Sequence, residues 1–357
     1  MRKIALLLLL ISTAFTSVKT ESPAVTVSGR TEKTSDGKVI LIGSAASVAL
    51  NFQGQICSVK LRSGADHHNY VSFELDGSYK GRYRIEPGEA RWYRVPVDKK
   101  GRHTLTVYKA TEASNGTVIY EGVKVETQTP HKSPRRKRVE FIGNSITCGM
   151  GNDVLETPCG SGEWYDQHNA YWAYGPILSR KLKFDFVLSS VSGIGMYRNW
   201  NDENQTEPIM PDVYANLYLD KDASKPYDFK FQPELVSICL GTNDMSDGDG
   251  KKPRLPFDQK KYVANYVAFI KKVYSHYPKT RIVLLNSPMI SGEKNTVFVT
   301  CIKEIAAAFA SDSQHKPIEV FEFKPMKPKG CGAHPDIDDH VVMANELEPV
   351  FKRLLEQ

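Results

Sequence analysis

The fold class is decided by residues 139–147, Val139-Glu140-Phe141-Ile142-Gly143-Asn144-Ser145-Ile146-Thr147. The apolar residues at its start predict a buried strand, and Gly143-Asn144-Ser145 predicts a turn into a helix. The same succession of strand and helix continues along the rest of the chain. Strands are predicted at residues 139–142, 184–190, 235–240 and 281–285, and helices at 170–182, 262–274, 297–310 and 341–355. This alternation is typical of an α/β fold, in which a parallel sheet carries helices on both faces.

The residues before this stretch follow a different pattern. From about Ser22 to Thr129, side chains alternate with a period of two, and long helical periodicity is absent. Three dipeptides in this region are typical of hairpin turns, namely Asp36-Gly37, Asp76-Gly77 and Asn115-Gly116. We therefore predict an all-β sandwich or jelly roll.

The first residues predict export. Met1-Arg2-Lys3 is basic, residues 4–11 are all apolar, and residues 12–17 are mostly small, which is the layout of a secretory signal peptide. The apolar run is shorter than the roughly 20 residues that cross a bilayer. A buried N-terminal helix is the less favoured alternative. We expect a secreted or periplasmic protein that does not insert into a membrane.

These patterns divide the chain into four parts. His131 to Arg138 is polar and strongly basic, and a solvated linker is favoured there over a nuclear-import signal, which the signal peptide contradicts. The predicted division is a signal peptide at residues 1–20, a β-sandwich domain at 21–130, a basic linker at 131–138 and an α/β domain at 139–357.

Composition excludes several classes of protein. The hydrophobic fraction of 41% and the charged fraction of 25% are those of an ordinary globular protein. A net charge of +6 is small for a chain of 357 residues and does not indicate nucleic-acid binding. The sequence has no HExxH motif, no pair of CxxC motifs and no complete dinucleotide fingerprint, so we predict neither a metal nor a nucleotide cofactor. We expect a monomer.

Four residues in the predicted loops carry chemistry. In parallel sheets, active sites lie beyond the carboxyl ends of the strands. Ser145, Gly193 and Asn243 each follow a predicted strand, and His334 precedes the last predicted helix. Each has a structural alternative, such as a helix cap or a tight turn. Together they supply a nucleophile, oxyanion donors and a base, which is the set needed for acyl transfer through a serine ester.

The roles follow from this set. His334 is predicted to take the proton of Ser145, and the oxyanion is predicted to bind the backbone N–H groups of Ser145 and Gly193 and the amide of Asn243. His340 is a rival base at the start of the last predicted helix. Asp336 is the alternative acid that could orient His334.

The order of these blocks resembles that of the SGNH (GDSL-type) hydrolases, and most closely carbohydrate esterase family 2. The stretches that carry the resemblance are 143–151, 192–199, 240–244, 330–335 and, in the N-terminal half, 103–112. The resemblance implies a jelly-roll domain followed by a flavodoxin-like SGNH domain. It also implies removal of acetyl groups from plant cell-wall polysaccharides.

Two positions depart from the commoner pattern of the superfamily. Asn144 stands where an Asp usually precedes the serine, and Cys331 stands where an Asp usually lies three residues before the histidine. Family 2 esterases are known for a Ser-His dyad whose histidine is oriented by a backbone carbonyl. The resemblance therefore implies a dyad of Ser145 and His334 without an acidic partner.

Five aromatic residues are candidates for contact with a sugar, because the C–H faces of sugars pack well on aromatic rings. They lie in the loops after the first two strands of the α/β half and are Trp164, Tyr165, Trp172, Tyr197 and Trp200. The alternative is that most of them pack beneath long loops.

Cysteine pairing remains open at the level of sequence. Cys148 follows Ser145 by three residues and Cys331 precedes His334 by three, so a disulfide between them would brace the site. Cys148 with Cys159 is a competing local pair, and free buried thiols are the third possibility.

Other functions remain open beside the polysaccharide acetylesterase. One is an SGNH lipase or thioesterase that acts on lipid esters, and another is an O-acetylesterase that acts on peptidoglycan or host glycans. A sugar-binding module that has lost its chemistry is disfavoured, because Ser145, Asn243 and His334 are all present.

Overall fold

The computed structural model describes residues 25–131, 134–202 and 206–356. The predicted signal peptide lies outside the described residues. Within the described part of the chain, no helix is both long enough and apolar enough to cross a membrane.

The N-terminal half is built from antiparallel strands. Among the described residues, nine strands form one sheet with the main order β2-β3-β9-β4-β8-β5-β6, while β1 and β7 also pair with β4. The strands are β1 (Thr26–Ser28), β2 (Thr31–Lys33), β3 (Val39–Leu41), β4 (Ser47–Ser63), β5 (Asn69–Leu75), β6 (Ser78–Ile85), β7 (Arg91–Arg94), β8 (Gly101–Lys109) and β9 (Val118–Thr129).

The long strand β4 organises this half. Its first residues pair with β8 and its last residues with β7, and β9 pairs with both parts across a register shift between Gln53 and Cys57. Alternate side chains of β4, including Leu50, Phe52 and Leu61, are fully buried in one core. The period-two pattern of the sequence reflects this one-sided burial.

The C-terminal half contains a parallel sheet of five strands in the order β11-β10-β12-β13-β14, counted over the described residues. The strands are β10 (Arg138–Gly143), β11 (Asp185–Ser190), β12 (Leu235–Cys239), β13 (Arg281–Leu285) and β14 (Glu319–Phe321). The helices are α1 (Ser145–Cys148), α2 (Tyr174–Leu182), α3 (Met210–Val213), α4 (Gln259–His276), α5 (Gly292–Ala307) and α6 (Ile337–Glu356).

Both faces of the parallel sheet are covered. In β12, Val236 and Ile238 face the core that contains side chains of α4 and α5, while Leu235 and Cys239 face the core that contains side chains of α2 and α6. A strand that is buried on both faces favours apolar residues on both, which explains why every residue of β12 except the buried Ser237 is apolar. The predicted combination of an antiparallel β domain and a parallel-sheet α/β domain is confirmed.

The structure differs from the prediction at one helix and adds one strand. The helix predicted at 170–182 is interrupted, because Ala173 has an extended backbone between a 3₁₀ turn at Ala170–Trp172 and α2. Strand β14 was not predicted. It has three residues, and this is too short for a periodic pattern.

Buried polar contacts join the two sheets. The guanidinium of Arg30, fully buried, donates to the backbone carbonyls of Asn216 at 2.6 Å and Tyr214 at 2.9 Å. Further along the contact, the hydroxyl of Ser72 donates to Asn169 at 2.8 Å. These contacts link residues that are 97 to 186 positions apart in the chain.

Candidate active site

Ser145 is the first residue of α1, directly after β10. Asn144 caps this helix, and its side-chain oxygen accepts a hydrogen bond from the N–H of Ile146 at 3.2 Å. An amide oxygen thus performs the capping that a carboxylate would perform at this position. Within the described residues, the N–H of Ser145 donates to no protein group. At a helix start, such a free N–H is suited to binding an anion.

His334 contacts Ser145 directly. The distance between His334 Nε2 and Ser145 Oγ is 2.7 Å, and His334 Nδ1 lies 2.8 Å from the carbonyl oxygen of Gly332. Since a carbonyl only accepts, Nδ1 carries the proton and Nε2 is left to accept the serine hydroxyl. Burial lowers the pKa of His334 below its ordinary value of 6.5, although the Gly332 carbonyl opposes this effect. The imidazole is therefore neutral at pH 7 and able to act as a base.

The alternative base and the alternative acid are engaged elsewhere. His340 is fully buried, its Nδ1 accepts the N–H of Tyr174 at 3.3 Å, and burial lowers its pKa to about 3. Asp336 accepts the N–H of Asp339 at 2.8 Å and so caps the first turn of α6. Neither side chain hydrogen-bonds to His334.

The register of the sheet brings Gly193 to the same edge as Ser145. Gly143, the last residue of β10, lies opposite Ser190, the last residue of β11. Ser145 and Gly193 follow these strand ends by two and three residues. Gly193 has a φ of 77°, a left-handed conformation that favours glycine. Among the described residues, its N–H donates to no group, while its carbonyl accepts the N–H of Trp200 at 2.9 Å.

Asn243 is held beside the Gly193 loop. Its side-chain nitrogen donates to the carbonyl of Ile194 at 2.8 Å, which leaves the second amide proton for another acceptor. Its backbone carbonyl accepts from the guanidinium of Arg254 at 2.7 Å. The structure therefore brings together all four residues that the sequence analysis selected.

Asp244 supports this loop and was missed from the sequence. Its carboxylate, fully buried, accepts the backbone N–H groups of Met196, Tyr197 and Arg198 at 2.8 to 3.2 Å. Burial raises the pKa of Asp244, and these three N–H groups oppose the increase. Its position next to Asn243 was the only sequence signal, and it does not reveal what the side chain contacts.

The disulfide differs from both pairs considered from the sequence. Cys159 pairs with Cys331, across 172 residues. The bridge ties the loop after α1 to the His334 loop, where the N–H of Cys331 also donates to the carbonyl of Gly151 at 2.8 Å. Cys148 is a free, buried thiol that donates to the hydroxyl of Ser190 at 3.2 Å. The proposed pairs of Cys148 with Cys331 and with Cys159 are therefore wrong, because Cys148 faces the core below α1.

The five candidate aromatic residues fall into two groups. Trp164 is 49% exposed and Trp200 is 46% exposed, so their rings are open to solvent. Trp172 is half-buried, with its ring against Tyr171, and Tyr165 and Tyr197 are 6% and 4% exposed. Each exposed residue is joined to a neighbour of the site. Trp164 packs against His168 at 4.9 Å between ring centroids, and Trp200 is bonded to Gly193 through its backbone.

Comparison with known proteins agrees with this geometry. The model described as "GDSL-like Lipase/Acylhydrolase family" matches residues 141–341, which is more than half of the chain. The chain belongs to this family. The model "Carbohydrate esterase 2 N-terminal" matches residues 27–134. A GDSL-like hydrolase with this N-terminal domain is a carboxylic ester hydrolase, and the predicted family resemblance is confirmed.

Curated relatives of this GDSL-like protein are esterases. An "Acetylxylan esterase / glucomannan deacetylase" from Cellvibrio japonicus is 29% identical over 269 residues, covering 73% of this chain and 72% of the relative. "Cellulase/esterase CelE" from Acetivibrio thermocellus is 28% identical, covering 94% of this chain and 40% of the relative.

Solved structures are similar over nearly the whole chain. A family two carbohydrate esterase from Clostridium thermocellum, in complex with cellohexaose, has a TM-score of 0.79 at 26% identity, covering 93% of this chain and 99% of that chain. A family two carbohydrate esterase from Cellvibrio japonicus has a TM-score of 0.81 at 22% identity, covering 94% and 96%. The latter likeness concerns the fold.

Proposed function

We propose that this protein is a secreted carbohydrate O-acetylesterase that removes acetyl groups from acetylated xylan or glucomannan. The observation that carries the proposal is the 2.7 Å contact between Ser145 Oγ and His334 Nε2, with Nδ1 held by the Gly332 carbonyl. This arrangement pairs a serine nucleophile with an oriented neutral base.

In the proposed mechanism, His334 takes the proton of Ser145 as its oxygen attacks the acetyl carbonyl carbon. The oxyanion of the tetrahedral intermediate accepts hydrogen bonds from the N–H groups of Ser145 and Gly193 and from the Asn243 amide. As the bond from carbon to the sugar oxygen breaks, His334 returns the proton to that oxygen. Water then attacks the acetyl-serine by the same route, and acetate leaves.

The proposed dyad works without an acidic partner because the Gly332 carbonyl selects the tautomer. In full triads, replacing the Asp by Asn lowers turnover about 10⁴-fold, chiefly because the histidine adopts the wrong tautomer. A carbonyl accepts only from Nδ1–H, so it enforces the productive tautomer of His334 without a charge.

Two features support a carbohydrate substrate. One of the relatives described above is named acetylxylan esterase and glucomannan deacetylase. The exposed rings of Trp164 and Trp200, on loops next to the dyad, offer flat apolar surfaces against which sugar rings pack. We therefore propose that these two tryptophans contact the polysaccharide.

The experiment that tests the proposal measures acetate released from acetylated xylan, acetylated glucomannan and O-acetylated peptidoglycan, with p-nitrophenyl esters of short and long acyl chains in parallel. We expect release from the plant polysaccharides and none above background from Ser145→Ala. Ser161→Ala, which alters an exposed serine outside the dyad, is the matched control. Undiminished release from Ser145→Ala would refute the mechanism, and turnover of long-chain esters alone would refute the substrate class.

The export part of the proposal has its own test. Residues 1–20 have the composition of a cleaved signal peptide. Expression with this segment, followed by N-terminal sequencing of the exported protein, should find a start close to residue 20. Retention of the full chain in the cytoplasm would contradict this part.

A further inference from the structure

Glu112 connects the N-terminal domain to the oxyanion loop. It lies just after β8 and is fully buried. Its Oε2 accepts the backbone N–H of Ser192 at 2.8 Å, and its Oε1 accepts the hydroxyl of Ser114 at 2.7 Å. Both carboxylate oxygens therefore have partners, one on each side of the contact between the two sheets.

The same carboxylate adjoins the helix that begins at Ser145. Cys148 lies at the other end of this helix, and burial followed by the charge of Glu112 raises the pKa of the Cys148 thiol. The thiol in turn donates to Ser190, the last residue of β11. Glu112 thus lies between α1, which bears the N–H of Ser145, and the loop after β11, which bears the N–H of Gly193.

The burial of charge around Glu112 needs a reason. The Lys109 ammonium donates to the Glu112 backbone carbonyl at 2.6 Å, and burial lowers the pKa of Lys109 to about 7, against the opposing effect of Glu112. Removing ionisable groups from water is unfavourable. Apolar side chains could fill the contact between the two domains at a lower free-energy cost. The burial of Lys109 and Glu112 therefore indicates a role beyond holding the two domains together.

The peptide that bears the Gly193 N–H is fastened on both sides. Glu112 accepts the N–H of Ser192 just before it, and the carbonyl of Gly193 just after it accepts the N–H of Trp200. These two hydrogen bonds limit rotation of the peptide between Ser192 and Gly193. An oxyanion donor is effective only when its N–H already points at the position of the oxyanion before the reaction begins.

We propose that Glu112 is a positioning residue, through which the N-terminal domain holds the Gly193 donor of the oxyanion hole in place. This inference rests on the proposed function, because it assigns a support to the oxyanion hole proposed there. It makes the β domain a structural part of the active site.

The charge of Glu112 also acts on His334 of the dyad. Its carboxylate opposes the lowering of the His334 pKa by burial. Two histidines also interact electrostatically with His334. Burial lowers the pKa values of His168 and His340, and His334 adds to the lowering. Both are neutral at pH 7, whereas the Glu112 charge favours the imidazolium that forms during turnover. Lys109, on the other side of Glu112, is partly neutralised by its own burial.

Two substitutions separate the effect of the length of the Glu112 side chain from the effect of its charge. Glu112→Asp keeps the charge but is one methylene shorter, so it loses the Ser192 N–H, and we expect kcat to fall about 10- to 100-fold with KM within about threefold. Glu112→Gln keeps an oxygen for the Ser192 N–H and an NH₂ group for Ser114, so we expect kcat at pH 8 within about fivefold of the parent.

Glu74→Gln is the matched control. Glu74 accepts the hydroxyl of Tyr171 at 2.9 Å across the same domain contact without touching the oxyanion loop. We expect its kcat and pH profile to equal those of the parent. Thermal unfolding of every variant is measured alongside, so that a loss of fold is not mistaken for a loss of turnover.

The outcomes decide the inference. A parental kcat in Glu112→Asp would overturn it, and so would a kcat in Glu112→Gln at pH 8 that falls as far as in Glu112→Asp. If Glu112→Asp does not fold, Ser114→Ala removes one support of the carboxylate without changing a charge. A lowered kcat in Ser114→Ala would support the inference, and a parental kcat would overturn it. Failure of the proposed function is distinct, because it appears as activity in Ser145→Ala.

Discussion

Replacing both Cys159 and Cys331 by alanine removes the covalent link between the loop after α1 and the His334 loop. The bridge spans 172 residues. For a loop of that length, the chain-entropy relation gives about 5 kcal/mol of stabilisation at 25 °C, and removal of native disulfides typically costs about 2–5 kcal/mol. We expect the free energy of unfolding to fall within this range.

The same change should lower turnover. Gly332, whose carbonyl orients His334, is the next residue after Cys331, and the N–H of His334 donates to the Cys331 carbonyl at 3.2 Å. Once the bridge is lost, the loop that carries this carbonyl is anchored on that side mainly by the Cys331 N–H to the Gly151 carbonyl. We expect kcat to fall about tenfold or more, because small displacements of a catalytic group have large effects on rate. KM should change less.

The assay combines urea unfolding with acetate release from acetylated xylan. Cys57→Ala is the control, since Cys57 is a buried free cysteine in β4, far along the chain from the dyad. We expect it to cost only about 1 kcal/mol of stability, as for other small truncations in cores, with no change in kcat. A double alanine variant with parental kcat and parental stability would refute the reasoning that the bridge braces the His334 loop.

Three further predictions concern the dyad, the oxyanion hole and the buried lysine. Asn243→Ala should lower kcat about 10²- to 10³-fold, whereas Asn51→Ala on the exposed side of β4 should leave kcat unchanged. An equal kcat in the two variants would show that Asn243 is not part of the oxyanion hole. Because burial lowers the His334 pKa and the base must be neutral, activity should be lost only as pH falls below 6.5, as measured in kcat/KM profiles. A loss of kcat/KM that begins above pH 7 as the pH is lowered would contradict this. Lys109→Met should remove a rise in unfolding free energy between pH 7 and 9, because the unfolded chain binds the proton that buried Lys109 loses. Urea titrations of the parent and of Lys109→Met at the two pH values measure this rise, and the same pH dependence in both proteins would contradict the prediction.

Local patterns were sufficient for the framework of the α/β half. Apart from Ser237, β12 is apolar on both faces because helices cover both, so its sequence predicts it directly. Ser145, Gly193 and Asn243 were found for the same reason, since each follows such a strand at the edge where parallel strands end. His334 follows no predicted strand, and the order of motifs identified it.

The sequence by itself determined the two kinds of sheet, the order of the chemical groups and the family resemblance, because each is carried by short stretches whose pattern and order can be read along the chain. Only the tertiary structure decided which cysteine pairs with Cys331, that Gly332 orients His334, and that Glu112 reaches Ser192. The disulfide and the Glu112 contact join residues that are 172 and 80 positions apart. The Gly332 contact is local, but it depends on a loop held by that disulfide. Periodicity carries no information about such long-range contacts, since they are set by how the loops of the α/β domain pack on one another and on the β domain.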